Sequence, residues 1–322
     1  MFRIIVQLLD LIILLKQIDF ILKKQGNYMQ NFLTSTLKLI KITFITLCLL
    51  VGITAIYLLT HITNKNIVVA NYEIKAEVPS AFRIVEISDY HNSELSKDNE
   101  KLIKLVKEQK PDIIVLAGDL INGFKEETEN AEKLIRQLSE ITTVYVGDGN
   151  HEYAWEGKYN KSINELYTNA GAKVLDNSYI DVDIRGNLVR IGGYMGYYRI
   201  PGMVSYNGEK LEEEEAFFDN FENTDRYKIL INHIPTTWVD WNYSAYPVDL
   251  VLSGHYHGGQ WVLPFIGAVY APYIGINPPN TRGVYHGEYA TTIISSGVGN
   301  EFNNIPRINN PPEIVVVDVK PE

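Results

Sequence analysis

Three times between Phe82 and Glu152 the chain runs through a short apolar stretch and then breaks into polar residues of the kind that bind ions. Phe82–Ile87 leads into Ser88-Asp89-Tyr90-His91-Asn92, and Asp112–Leu116 into Ala117-Gly118-Asp119-Leu120-Ile121-Asn122. Thr142–Val146 leads into Gly147-Asp148-Gly149-Asn150-His151-Glu152. Between these runs, Asn99–Gln109 and Glu126–Glu140 carry apolar residues at helical spacing. A β-α-β-α-β order of this kind demands an α/β fold with a largely parallel sheet, whose sites lie at the C-terminal ends of the strands.

The following residues predict a helix over Lys158–Asn169 and short strands at Lys173–Leu175, Tyr179–Ile184 and Leu188–Ile191. The turn Arg185-Gly186-Asn187 between the last two points to a more antiparallel second layer. Gly192–Tyr206 reads as a long loop and Leu211–Phe221 as an acidic amphipathic helix. The strand Tyr227–Ile231 delivers Asn232-His233 before Pro235 stops it. Val248–Leu252 then runs into Ser253-Gly254-His255-Tyr256-His257-Gly258-Gly259-Gln260. Side chains two apart on a strand share a face, so this histidine pair can lean in on one ion or serve two neighbours. Ala290–Ser296 and Glu313–Val319 are the remaining strands.

Collected at these ends are Asp89, His91, Asp119, Asn150, His151, His233, His255 and His257, which include five of the seven histidines in the chain. Each alone has an ordinary reading as a helix cap, a turn residue or a hydrogen-bonded core histidine. A ligand-type residue at every strand end does not. Imidazole, carboxylate and amide oxygen together suit Mn, Fe or Zn, and the absence of a thiolate cluster (Cys48 is the single cysteine) argues against structural zinc.

The order Asp-x-His, Gly-Asp, Gly-Asn-His-Glu, a lone His and Gly-His-x-His resembles the motif set of the calcineurin-like metallophosphoesterases, from about Phe82 to Val319. The resemblance implies a four-layer α/β/β/α sandwich and a site for two divalent metal ions. By position it makes Asp89, His91 and His257 ligands of one ion, and Asn150, His233 and His255 ligands of the other. Asp119 would bridge both, while Asn150 and His151 would contact the substrate phosphate and His151 would assist the leaving group. A hydroxide bridging the ions would attack a phosphoester or diphosphate bond. The Gly258-Gly259-Gln260 tail and the N-terminal apolar run resemble the bacterial membrane-anchored subgroup. One position departs: family protein phosphatases carry an Asp three residues after the bridging Asp, where this chain has Asn122. An amide there orients His151 without stabilising its protonated form, which puts strong general-acid action in doubt.

From Ile42 to Thr60 there is no charge, and about nineteen residues at 1.5 Å rise suffice for a bilayer core of about 30 Å. Lys38 and Lys41 before the run put the basic excess on the N-terminal side. This predicts a single-pass, uncleaved anchor at 42–61, residues 1–41 in the cytoplasm, and a catalytic domain at 66–322 outside the cell membrane. Phe2–Leu22 is apolar but broken by Arg3, Asp10, Lys16 and Asp19, which suits a helix lying in the membrane interface. It suits equally an untranslated extension, because Met29 begins a conventional anchor.

Residues 1–65 carry a net charge of +5 and the remainder −15, which excludes nucleic acid as the main partner. A phosphorylated small molecule or a lipid-linked substrate is expected instead. Trp261–Ile266, with Tyr270, Tyr273 and Tyr285 beyond, reads either as a packed loop or as an apolar wall for a lipid-linked substrate. Arg282 and His286 in the same segment read as surface residues or as contacts to a phosphate. The rival readings are a broad phosphomonoesterase and a non-catalytic metal-binding protein that keeps the fold.

Overall fold

The computed structural model describes residues 2–23, 28–62, 66–93, 96–195, 212–239, 247–271, 274–288, 290–299 and 305–322. The chain divides into two compact units, residues 1–62 and 63–322. The first consists of helices α1 (Phe2–Lys23) and α2 (Tyr28–Ile62). Within α2, Asn31–Ile56 is long and apolar enough to cross a membrane and none of it is buried. The uncharged run thus sits in a helix that begins well before residue 42.

In the second unit the strands are β1 (Val68–Ala76), β2 (Phe82–Ile87), β3 (Ile113–Ala117), β4 (Val144–Gly147), β5 (Lys173–Leu175), β6 (Ser178–Ile184) and β7 (Asn187–Gly193). They continue with β8 (Tyr227–Ile231), β9 (Leu250–Ser253), β10 (Trp261–Leu263), β11 (Gly267–Ala271), β12 (Gly275–Ile276), β13 (Gly283–His286), β14 (Thr291–Ile294) and β15 (Glu313–Pro321). The helices are α3 (Glu100–Gln109), α4 (Glu129–Ser139), α5 (Asn150–Tyr159), α6 (Ile163–Asn169), α7 (Glu212–Glu222) and the single turn α8 (Thr236–Val239). One six-stranded sheet has the order β1-β15-β2-β3-β4-β5, the other β13-β14-β9-β8-β7-β6, and β10-β11-β12 form a small third sheet.

Alternation along the central strands explains the layering. Val85 and Ile87 of β2 point one way, into a core with Leu102 and Val106 of α3 and Leu134, Ile135 and Leu138 of α4. Ile84 points the other way, and with Val115, Val315 and Val317 it meets Ile191, Ile229, Leu252 and Ile293 of the second sheet. A third core packs Phe217, Phe218 and Phe221 of α7 on the outer side of that sheet, against Leu230 and Val251. Strands buried on both faces read as continuous apolar runs. The result is the α/β/β/α sandwich.

Three details differ from the sequence reading. The helix over 158–169 is broken, because Asn160 takes a left-handed φ of 51° after α5 and the Ser162 hydroxyl accepts from Glu165 N–H to start α6. His151 therefore sits in the first turn of a helix. Trp261–Ile266 is a strand and turn of the small sheet rather than a loop. Gly192 and Gly193 complete β7, while residues 196–206 of the expected loop, and Tyr273, lie outside the described residues.

One pairing matters for the site. β15 runs parallel to β1, with Val68 opposite Glu313, and antiparallel to β2, with Val315 opposite Glu86. The domain's first strand therefore starts at the sheet end where β2, β3 and β4 finish.

Candidate metal centre

All eight residues gathered from the sequence converge at that end. Asp89, His91 and His257 offer ligand atoms within 4.8 Å of one another, as do Asp119, His233 and His255, and a third group of His91, Asp119 and His151 links the two. Asp119 thus stands between two triads. The histidine pair does not lie on a strand as expected: β9 stops at Ser253, and both residues fall in the turn beyond it. The rings diverge there. His257 stacks on His91 with centroids 5.0 Å apart, whereas His255 meets His233 edge-on at 5.3 Å.

The turns that aim these groups are unusual. Asp89, His91, Asp119, His255 and His257 have φ of 52°, 49°, 54°, 74° and 48°. Left-handed backbone is uncommon outside glycine, and strain of this kind clusters at functional sites. Gly149 and Gly254 let the chain close in, since a Cβ on either would collide with the Asp119 or Asp89 carboxylate.

The donor set fits divalent cations. The buried Asn150 Oδ1 has no hydrogen-bond partner, which leaves an amide oxygen free at the edge of the cluster. His233 Nδ1 lies 2.6 Å from the Ala117 carbonyl, so its other nitrogen faces the site, 2.9 Å from Asp119 Oδ2. That backbone contact is the kind that orients metal-ligating histidines. Burial pushes His91 and His255 down to about 3 and holds His257 well below the ordinary range, so these rings are neutral with a lone pair available. For Asp119 burial acts upward, but the imidazoles of His233, His151 and His91 outweigh it and keep the carboxylate ionised. For His233 burial acts downward, and Asp119 overrides it, raising the ring to about 10. Burial also lifts Asp89 to about 6.

In the metal-free protein His233 is thus held protonated against the Asp119 carboxylate, at atoms for which a cation would compete. Loading the metal-free protein near pH 7.5 should release about one proton, read as a dependence of the calorimetric heat on buffer ionisation. Affinity should fall below about pH 6, where Asp89 takes up its proton. Binding without proton release would contradict this charge assignment.

Two residues that the sequence did not single out hold the site together. Glu152, buried in α5, accepts the backbone N–H groups of Gly149 at 2.9 Å, Asp119 at 2.8 Å and Leu120 at 2.8 Å, and the Tyr167 hydroxyl at 2.9 Å. Arg307, also buried, donates to the carbonyls of Ser296 at 2.7 Å and Gly299 at 2.6 Å and stands 3.3 Å from His257 Nδ1. Asn122 does not take up the role expected of it; its amide oxygen accepts Phe124 N–H at 3.1 Å. The His151 ring is oriented instead by Gly123 N–H, which donates to Nδ1 at 2.8 Å. In the neutral ring the remaining proton sits on Nε2, 3.9 Å from Asp119 Oδ2.

Residues 82–259 match the family model for calcineurin-like phosphoesterases. The chain belongs to this family. An uncharacterized metallophosphoesterase of Aquifex aeolicus is 31% identical over 271 residues, 81% of this chain and 95% of that protein. An uncharacterized metallophosphoesterase of Campylobacter jejuni is 29% identical over 256 residues, 77% of this chain, which spans only 62% of that relative's length. The UDP-2,3-diacylglucosamine pyrophosphatase LpxG of Chlamydia trachomatis is 25% identical over 277 residues, 73% of this chain and 82% of that protein. The family match together with the clustered ligand residues makes this calcineurin-like phosphoesterase a metal-dependent phosphoester hydrolase.

Proposed function

We propose that this phosphoesterase cleaves a phosphodiester or diphosphate bond in a lipid-linked substrate at the outer face of the cytoplasmic membrane. The observation that carries the reading is the pair of triads meeting at Asp119. Asp89, His91 and His257 would hold one ion, Asn150, His233 and His255 the second, and Asp119 both; Mn, Fe or Zn suits the donors. Such a pair of ions activates a water near neutral pH and neutralises charge on the phosphoryl oxygens. LpxG, a relative of similar length, is a pyrophosphatase of a UDP-linked diacylglucosamine, which supports the substrate class. The apolar helix over Asn31–Ile56 supports residues 42–61 as the anchor, and the basic excess before it supports 1–41 as the cytoplasmic segment and 66–322 as the external domain.

His151 serves here as a phosphate-binding donor. With Nδ1 already accepting Gly123 N–H, a second ring proton would have to displace that bond, so Nε2–H is the group the substrate meets. His151→Asn should therefore cost roughly a hundredfold, the scale for one oriented donor, on alkyl and nitrophenyl esters alike. A loss confined to the alkyl ester would restore the acid role that the sequence suggested.

The full reading is tested by metal analysis combined with hydrolysis of bis-nitrophenyl phosphate, nitrophenyl phosphate and a nucleotide diphosphate-sugar. Two ions per chain, with turnover on the diester or the diphosphate exceeding that on the monoester, is the expected result. Preference for the monoester would make the protein a broad phosphatase, and a chain with neither ions nor turnover would be a binding protein.

A further inference from the structure

The small sheet beside the site ends in a turn whose chemistry is out of place in water. Between β10 and β11 the chain reads Leu263-Pro264-Phe265-Ile266, closed by Ile266 N–H donating to Leu263 carbonyl at 3.2 Å. Proline in the second position and positive φ in the third mark a turn that calls for glycine or asparagine there. The third residue is Phe265, at φ 67°. A bulky residue in that conformation is strained and costs free energy. No packing offsets the cost, because Phe265 is fully exposed and Ile266 is 61% exposed. Trp261, Tyr270 and Ile276 lie opposite one another across the three strands and so share a face. Ile276 at the end of that row is 87% exposed.

Charge singles out the same segment. Asp and Glu make up 37 of the residues from 66 to 322, yet none occurs from 250 to 287, where Arg282 is the one formal charge. A domain at −15 is repelled as a whole by an anionic lipid surface, and this segment adds no acidic group to that repulsion.

Position supplies the occupant. The root of the hairpin is pinned at the metal centre: Val262 N–H donates to Ile308 carbonyl at 2.9 Å and Trp261 Nε1 to Pro306 carbonyl at 3.0 Å, on either side of the arginine beside His257. The chain arriving from the apolar helix enters at Val68, on the sheet end that carries the site. Five residues, 63–67, join that helix to β1, a reach of roughly 20 Å when extended. The start of the domain and the root of the hairpin thus belong to the end that carries the site.

From these observations we infer that the β10–β11 hairpin is a membrane-docking element: Phe265 and Ile266 enter the lipid interface and turn the mouth of the metal centre toward the bilayer. The inference rests on the anchored, lipid-directed reading above and goes beyond it by naming the contact surface.

The test uses the full chain in phosphatidylcholine vesicles containing shallow or deep doxyl-labelled phosphatidylcholine. An environment-sensitive fluorophore on Cys48, the single cysteine, reports the anchor. The same fluorophore on Ile266→Cys in a Cys48→Ser background reports the hairpin. Asp225→Cys in that background, just before β8 at the opposite end of the sheet, is the control. The expected result is quenching of the Ile266 position by the shallow label and none at the control.

In a second arm, Phe265→Ser combined with Ile266→Ser should lower hydrolysis of vesicle-borne phosphatidyl-nitrophenol by roughly tenfold or more, since two large apolar side chains lose their burial in the lipid interface. Turnover of soluble bis-nitrophenyl phosphate should not change. A quenched Cys48 probe with an unquenched Ile266 probe overturns docking and leaves the anchor standing. If neither is quenched, both fail. Equal losses on the two substrates would reassign the hairpin to packing of the site. An inactive parent chain would refute the hydrolase reading, with the quenching arm still deciding docking.

Discussion

Replacing Asp119 by alanine should remove both ions and at least roughly a thousandfold of turnover, beyond the 10²–10³ that one oriented donor is worth. The carboxylate is the group shared between the triads, and its loss strips negative charge from a site that holds five imidazoles. Its second oxygen also accepts His151 N–H at 2.9 Å, so alanine frees the first turn of α5 as well. Asp119→Asn separates the two effects, because the amide oxygen can still accept that N–H while the ionic charge is gone. It should keep the thermal transition of the parent and still fail to retain two ions, as read by elemental analysis and kcat on a diester. A variant with alanine that holds two ions and half its turnover would sink the shared-ligand assignment.

Glu152→Ala should be the most destabilising single substitution around the site. The carboxylate accepts three backbone N–H groups within 2.9 Å, belonging to Gly149, Asp119 and Leu120, and it does so in the interior. Stranding buried donors costs about 1–3 kcal/mol each, and the total stability of a domain is only about 5–15 kcal/mol. Alanine is thus expected to lower the melting temperature by more than about 10 °C and to loosen metal binding with it. Glu152→Gln keeps one acceptor oxygen and should fall between. Melting followed by circular dichroism, with metal content measured on the same samples, checks both. A Glu152→Ala protein that melts with the parent would mean that these donors find water instead.

The strands and the candidate site residues were legible because in a parallel sheet the same end of every strand carries the site. An apolar run followed by Asp-x-His or Gly-Asn-His-Glu announces its own place. Glu152 was less visible, since an acid in a first helical turn is ordinary and nothing local says that it gathers the amides of Asp119 and Leu120 from another strand end. Arg307 had no signal at all: it meets His257 across 50 residues of sequence and lies beyond the matched segment. The break at Asn160 was missed because periodicity continues through it, and only the left-handed turn separates the two helices. The orientation of His151 could not be read either. Its partner is a backbone N–H, and backbone groups leave no mark in the sequence.

β15 gives the site a schedule. Val298 and Gly299 hold the Ser88 and Asp89 carbonyls through their N–H groups, Asn310 Nδ2 holds the His257 carbonyl, and Glu313–Pro321 fills the gap between β1 and β2. A chain made from its N-terminal end has displayed all eight residues of the candidate site by residue 257, yet it cannot shape them until some sixty further residues have followed. Metal uptake must then follow completion of the domain. A truncated chain lacking β15 should be unable to hold metal or to hydrolyse anything.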